Sequence, residues 1–160
     1  MALDDDIRIL SQAPLFNLLD RDALRLVAFA AEARTLRAGD VLFRKGDRSD
    51  GGYVVGQGAI TLDAREDDSP ATFVAGPGCL IGQAALFTRV ERAATATAQE
   101  PSTVIRVSPS LMRRVLEEFP AAAAAIHQAV EDELLRLNHS LEQVRQQLIA
   151  IDGSVEPDEG

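Results

Sequence analysis

Residues 76–98 read Gly76-Pro77-Gly78-Cys79-Leu80-Ile81-Gly82-Gln83-Ala84-Ala85-Leu86-Phe87-Thr88-Arg89-Val90-Glu91-Arg92-Ala93-Ala94-Thr95-Ala96-Thr97-Ala98. A glycine turn opens onto a few residues of helical character, 83–87, and an arginine then stands at the mouth of an alternating strand of small residues. The start of even a short helix leaves backbone N–H groups without intrahelical partners, and a guanidinium can add a charged fork from the other side. The stretch is therefore expected to cradle one phosphate, with Arg92 as its cation and Arg89 as the alternative. The competing reading of Arg92 is a surface arginine paired with Glu91 or another acid.

The surroundings of this stretch are built from short strands. Nine of the eleven glycines, at 39, 46, 51, 52, 56, 58, 76, 78 and 82, lie in the middle of the chain, and none occurs between residues 83 and 152. Strands are expected at 35–37, 40–44, 52–55, 59–64, 71–75, 93–98 and 103–107. Turn residues separate them, among them Ala38-Gly39, Gly46-Asp47, Gln57-Gly58, Asp67-Asp68-Ser69-Pro70 and Glu100-Pro101. No helix inside the block is long enough for a parallel crossover, so an antiparallel sandwich or jelly roll is expected.

Helices flank the block. Residues 4–31 read as helix, broken at Pro14 and restarted by Asp20 as N-cap, with Ala23, Leu24, Val27 and Ala28 on one face. Ser108-Pro109 caps a further helix whose apolar face is Leu111, Met112, Val115, Leu116 and Phe119. Pro120 then starts a long helix in which Val130, Leu134, Leu137, Leu141, Val144, Leu148 and Ile151 recur at alternating spacings of four and three. Such a stripe fits either the barrel of the same subunit or a second copy of the helix, and the sustained 3.5-residue period favours the second copy. Val130, Leu134, Leu137, Leu141, Val144 and Leu148 are the expected dimer seam. The divisions are 1–34, an N-terminal helical cap; 35–119, the strand block with the cradle at 76–98; 120–151, the long helix; and 152–160, an acidic tail expected to fray.

The 160 residues suffice for one domain with a core, and a hydrophobic share of 46% is ordinary globular usage. The net charge of −9 is uneven: residues 120–160 hold eight acids and two bases. That balance repels nucleic acid and anionic lipid, so neither is an expected partner. The start of the chain is acidic where a signal peptide would be basic, and no apolar run approaches the roughly 20 residues that span a bilayer. The lone Cys79 forms no internal disulfide and has no Cys or His at metal-ligand spacing; it reads as a small buried hydrophobe. A cytoplasmic protein without metal or cofactor is expected. No Gly-x-Ser-x-Gly, Walker lysine, His-Glu-x-x-His or Cys-x-x-Cys occurs, and no enzymatic activity is expected.

Three further stretches matter: Leu10-Ser11-Gln12-Ala13-Pro14-Leu15-Phe16, Arg37-Ala38-Gly39-Asp40-Val41-Leu42-Phe43-Arg44-Lys45-Gly46-Asp47, and Gly52-Tyr53-Val54-Val55-Gly56-Gln57-Gly58. In this order, followed by the cradle and the long helix, the chain resembles the cyclic nucleotide-binding domain of the catabolite activator protein superfamily, from residue 10 to about residue 150. The resemblance implies a mainly β, α+β fold: a double-stranded β-helix (jelly-roll) barrel with N-terminal helices and a long C-terminal dimerisation helix. The family's phosphate cassette reads Phe-Gly-Glu-Leu/Ala, with an Arg nine residues after the Glu, then Ser or Thr and Ala. Here Leu80-Ile81-Gly82-Gln83-Ala84-Ala85-Leu86 matches the first half and Arg92 keeps the spacing.

By that resemblance Gly82, Ala84 and Ala85 offer backbone to the phosphate of cAMP or cGMP, Arg92 pairs with its charge, and Gln83 stands at the ribose-binding Glu. Ala93 replaces a hydroxyl that would bond a phosphate oxygen. Losing the carboxylate and the hydroxyl is expected to cost about 2 to 4 kcal/mol of affinity, roughly 30- to 1,000-fold. The family's base contacts on the long helix fall near Leu137 and Asn138, and Asn138 is the polar candidate. The implied function is a regulatory sensor that couples nucleotide binding to rearrangement of the C-terminal helices, with an unidentified protein partner. The alternative is a dimeric scaffold of the same fold that binds no nucleotide. The activator itself carries a DNA-reading helix-turn-helix beyond this point, and with only one lysine here a direct transcription role is not expected.

Overall fold

Two turns of one design set the spacing of the early strands. In Arg37-Ala38-Gly39-Asp40 and again in Arg44-Lys45-Gly46-Asp47, the aspartate carboxylate accepts the N–H of the arginine three residues before it, at 2.8 and 2.9 Å. The aspartate N–H bonds back to that arginine's carbonyl, and the glycine between them sits at φ 90° or 93°, which a side chain would resist. In the computed structural model, which describes residues 2–64 and 72–155, the strands around these turns are β1 (Glu32–Leu36), β2 (Val41–Phe43), β3 (Gly52–Gln57), β4 (Ile60–Asp63), β5 (Thr72–Ala75), β6 (Leu80–Ile81), β7 (Thr95–Ala98) and β8 (Ser102–Val107). They form two four-stranded antiparallel sheets, ordered β1-β8-β3-β6 and β2-β7-β4-β5. This is the expected jelly roll.

The inner faces meet in a core of Tyr53, Val55, Ile60, Ala75, Ile81, Ala96, Ala98 and Val104, with Leu36, Leu42, Phe43, Leu62 and Cys79 packed at its edge. Cys79 is partly rather than fully buried. The small residues of β7 alternate half-buried and buried, as a strand with one inward face requires.

The helices are α1 (Ala2–Leu10), α2 (Arg21–Ala30), α3 (Pro109–Glu118) and α4 (Pro120–Val155), with a 3₁₀ turn at Phe16–Leu18. Both expected caps are made: Asp20 accepts the N–H of Ala23 at 2.9 Å, and the Ser108 hydroxyl accepts that of Leu111 at 3.1 Å. Beyond shifts of one or two residues at strand ends, three features differ from expectation. β1 begins at Glu32, inside the stretch read as helical cap, because pairing with β8 from Glu32↔Arg106 onward outweighs the weak strand propensity of Glu-Ala-Arg. β6 is a two-residue strand, too short to announce itself. α4 continues to Val155, so part of the stretch read as a frayed tail is helical. The Asp67-Asp68-Ser69-Pro70 turn and residues 156–160 lie outside the described residues.

The chain divides into two compact units, 1–123 and 124–160. The second consists of α4 beyond its first turns. There Leu134, Leu137, Leu141 and Val144 are exposed, between 51 and 67%, and Val130 is half-buried. Leu135, outside the narrow stripe, is exposed as well, so the apolar face is wider than the heptad pattern implies. The side chain of Leu148 lies outside the described residues. Among those residues no helix is long and apolar enough to cross a membrane.

Candidate functional site

The second of the twin turns fixes the backbone of Arg92. Gly46 donates its N–H to the Arg92 carbonyl at 2.8 Å, and Arg92 donates its own to the Asp47 carbonyl at 2.7 Å. One step along, Ser49 donates its N–H to the Val90 carbonyl at 2.8 Å, and its hydroxyl accepts the Val90 N–H at 2.9 Å. The segment before β3 and the segment before β7 are thus zipped together.

The Arg92 side chain then turns inward and is only 4% exposed. Its guanidinium lies 4.0 Å from the centroid of the Phe43 ring and 5.6 Å from that of Tyr53. Nη2 donates to the Gly51 carbonyl at 2.7 Å and to Asp50 Oδ1 at 3.3 Å. Arg92 is not the surface arginine of the competing reading, and the acid it pairs with is Asp50 rather than Glu91. Burial pushes the Arg92 pKa below its ordinary value, against the pull of Tyr53 and Asp50, but the arginine range is so high that the charge persists. A buried cation anchored on one face by a carbonyl and a half-exposed carboxylate keeps donors for an anion on the other.

Facing Arg92 is Gly82, at φ 80°, which opens a 3₁₀ turn at Gln83–Leu86. A Cβ on Gly82 would stand 2.8 Å from Arg92 Nη1, so the glycine serves both the left-handed backbone and the approach of the guanidinium. Gly82, Ala84, Ala85, Arg92, Ala93, Phe43 and Leu62 are among the residues lining one cavity of about 390 Å³. Most of its wall is apolar, as in pockets that use a few polar groups to fix a ligand.

Most of the expected phosphate residues are therefore brought together, with differences of detail. The Ala85 N–H donates to the Gly82 carbonyl at 3.0 Å, so Ala85 contributes its buried methyl to the wall rather than a spare donor. Gln83 is half-buried at the start of the turn and is not among the residues lining the cavity. Arg89, the alternative cation, is exposed and faces a different cavity. Asn138 is exposed on α4, in the second unit. Glu91, which lines the cavity, and Phe43, Asp50, Gly51 and Tyr53, which hold Arg92, were missed. Asp50-Gly51 is a turn signal, but nothing in its spacing ties it to an arginine more than 40 residues on.

Asp50 is a hub. Besides Arg92 it receives the Tyr53 hydroxyl at 3.1 Å and Arg34 Nη2 at 3.5 Å, and its carbonyl accepts Arg106 Nη1 at 2.7 Å. Burial, and secondarily the charge of Asp50, push the Tyr53 phenol from 10.0 up to about 12. The raised value means that folding favours the protonated phenol. Its contribution is complete below pH 10 and is lost as pH climbs through 12, on the order of 3 kcal/mol in all. Since the chain has one tyrosine and no tryptophan, ultraviolet titration reads this group alone. An ionisation midpoint near 12 is expected, with alkaline unfolding that is delayed in Tyr53→Phe.

Comparison with known proteins agrees with this geometry. Residues 33–119 match the cyclic nucleotide-binding domain family. The solved structure of a cyclic nucleotide-binding-like protein from Brucella abortus is 43% identical, with a TM-score of 0.64 over 71% of this chain and 99% of that one. The N-terminal domain of a transcriptional regulator from Streptomyces coelicolor is 31% identical, with a TM-score of 0.76 over 83% of this chain and 94% of that one. The cAMP-dependent protein kinase regulatory subunit of Eremothecium gossypii is 34% identical over 102 residues, 64% of this chain and 22% of the subunit. The chain spans less than a third of the length of the curated relatives it matches. With more than half of its residues inside the family match, and with Arg92 and Gly82 meeting across one cavity, the chain belongs to the cyclic nucleotide-binding domain family.

Proposed function

We propose that the protein is a receptor for cAMP or cGMP that acts as a regulatory homodimer joined through α4. The observation that carries the reading is the buried Arg92 guanidinium against Gly82 in a cavity of about 390 Å³. In this reading the cyclic phosphate sits at the start of the 3₁₀ turn on the N–H groups of Gly82 and Ala84, with Arg92 neutralising its charge. Ala93 brings a methyl where a hydroxyl would add a bond, and Gln83 brings an amide in place of a carboxylate, so binding is weaker than such a site allows. The break between α3 and α4 at Phe119, whose φ and ψ are −128° and 80°, is the hinge through which binding reaches the long helix.

Calorimetric titration with cAMP and cGMP tests the receptor. Saturable heat with at least one is expected; none with either at millimolar ligand would leave the scaffold reading. The dimer rests on the exposed Leu134, Leu137, Leu141 and Val144. Leu141→Asp sets a carboxylate in each copy of that seam and is expected to give a monomer by analytical ultracentrifugation with helix content retained. A dimer that survives the substitution would place the interface elsewhere.

A further inference from the structure

A second cavity, of about 470 Å³, lies between the segment that follows the 3₁₀ turn and the start of α3. It shares no lining residue with the cradle. Three arginines from three separate elements are among its lining residues: Arg89 from the loop, Arg106 from β8 and Arg113 from α3. We propose that this cavity is a second anion site, for a small phosphate monoester.

The charge distribution is the first support. Arg89, Arg106 and Arg113 against Asp50, the one acid among the lining residues, give a formal +2 in a chain whose net charge is −9. The Asp50 carboxylate is shared among Arg92, Arg34, the Tyr53 hydroxyl and, at 3.9 Å, Arg106, so the charge left unmatched in the cavity is that of Arg89 and Arg113. Arg106 is held in place by Glu32 at 2.9 Å and by the Asp50 carbonyl at 2.7 Å. Arg89 and Arg113 have no ion pair or hydrogen-bond partner among the described residues. Solvated arginines are ordinary singly; two unpaired ones lining the same concavity as an anchored third concentrate positive charge there.

The ligand class follows from the donors. Forks arriving from three elements suit an oxyanion with several oxygens, whereas a planar carboxylate is satisfied by one guanidinium. Ser110 and Thr88 bring hydroxyls, and the positive end of α3 adds to the field. Phe87 and Pro109 offer an apolar wall for the body of a small organic ester. The overall negative charge disfavours a nucleic-acid phosphate.

Nitrogen-15 NMR of the full chain, titrated with inorganic phosphate and with glycerol 3-phosphate at constant ionic strength, tests the proposal. Saturable shifts are expected at residues 87–89 and 106–113, with a dissociation constant on the order of 1 mM, and tighter for the ester. Arg89→Gln with Arg113→Gln, both exposed and unpartnered, is expected to keep the fold and weaken binding about tenfold or more. Shifts that do not saturate, that localise to residues 82–85, or that survive the double substitution would overturn the site. Binding to phosphatidic acid vesicles without binding to the free ester would overturn the small-ligand assignment.

Discussion

Arg92→Ala is expected to lower cyclic nucleotide affinity by roughly 100- to 1,000-fold, about 3 to 4 kcal/mol. The guanidinium is buried and stacked on Phe43, and its Nη2 is already bonded to the Gly51 carbonyl, so its ordering precedes ligand binding. An anion arriving at Gly82 meets a fixed charge away from bulk water, where Coulomb attraction is least screened. Stability should change much less than affinity. Removing the side chain leaves a hole beneath Phe43, while the cost of keeping a cation buried disappears, and the two effects oppose each other. Arg92→Lys keeps the charge but cannot reach Gly51 and Asp50 while also presenting a nitrogen beside Gly82, and a loss of about tenfold or more is expected. Isothermal calorimetry with circular dichroism on the same samples separates binding from folding. Affinity within a few-fold of the parent in Arg92→Ala would move the phosphate away from this arginine.

Gly51→Ala should be among the most damaging single-methyl changes to stability, in the same class as Gly58→Ala, whose Cβ would crowd the Pro101 carbonyl and the Ser102 backbone. Gly51 sits at φ 148°, and a Cβ there would stand 2.5 Å from the Val107 carbonyl oxygen, 3.1 Å from its carbon and 3.2 Å from the Ser108 Cα. All three are backbone atoms at the junction of β8 and α3, so no rotamer change relieves the clash. The strand pair β3–β8 must separate there or the chain must leave its conformation, at about 3 to 4 kcal/mol, lowering the melting temperature by on the order of 10 °C. The displaced Gly51 carbonyl is also the anchor of Arg92, so weakened nucleotide binding should accompany the lost stability. Thermal melts with parallel titrations check both, and a midpoint unchanged within error would refute the steric account. Gly46→Ala makes a useful contrast: its φ is 93° but no heavy atom lies within 4 Å of an added Cβ, so only the backbone term of roughly 1 kcal/mol applies.

These two residues differ in how far the sequence announces them. Arg92 was legible as the arginine at the mouth of the small-residue strand and, by the resemblance, from its spacing of nine after Gln83, and the turn glycines were legible from composition, because both signals are local. The burial of Arg92 was not legible. Its partners Asp50 and Gly51 lie 42 and 41 residues upstream and reach it only after β2, β3 and the cradle have been folded against one another. The same reasoning covers β1, whose Glu-Ala-Arg carries weak strand propensity, and β6, two residues long, which are held by pairing with β8 and β3. Helix starts were legible at Asp20 and Ser108, where a capping side chain writes the boundary into the sequence. The end of α4 was not, since Gly153, a residue that commonly closes a helix, lies inside it.

The zipped pair of segments before β3 and β7 has a consequence for hydrogen exchange. The amides of Gly46, Ser49, Val90 and Arg92 are all donors in the bonds that join the two segments. None of these hydrogens can be exposed without parting the segment that carries the arginine from the one that carries its anchors. The four should therefore share one opening free energy and exchange as a single cooperative unit. A nucleotide bound at Arg92 should then slow all four by the same factor, Gly46 and Ser49 included, although neither lines the cradle cavity.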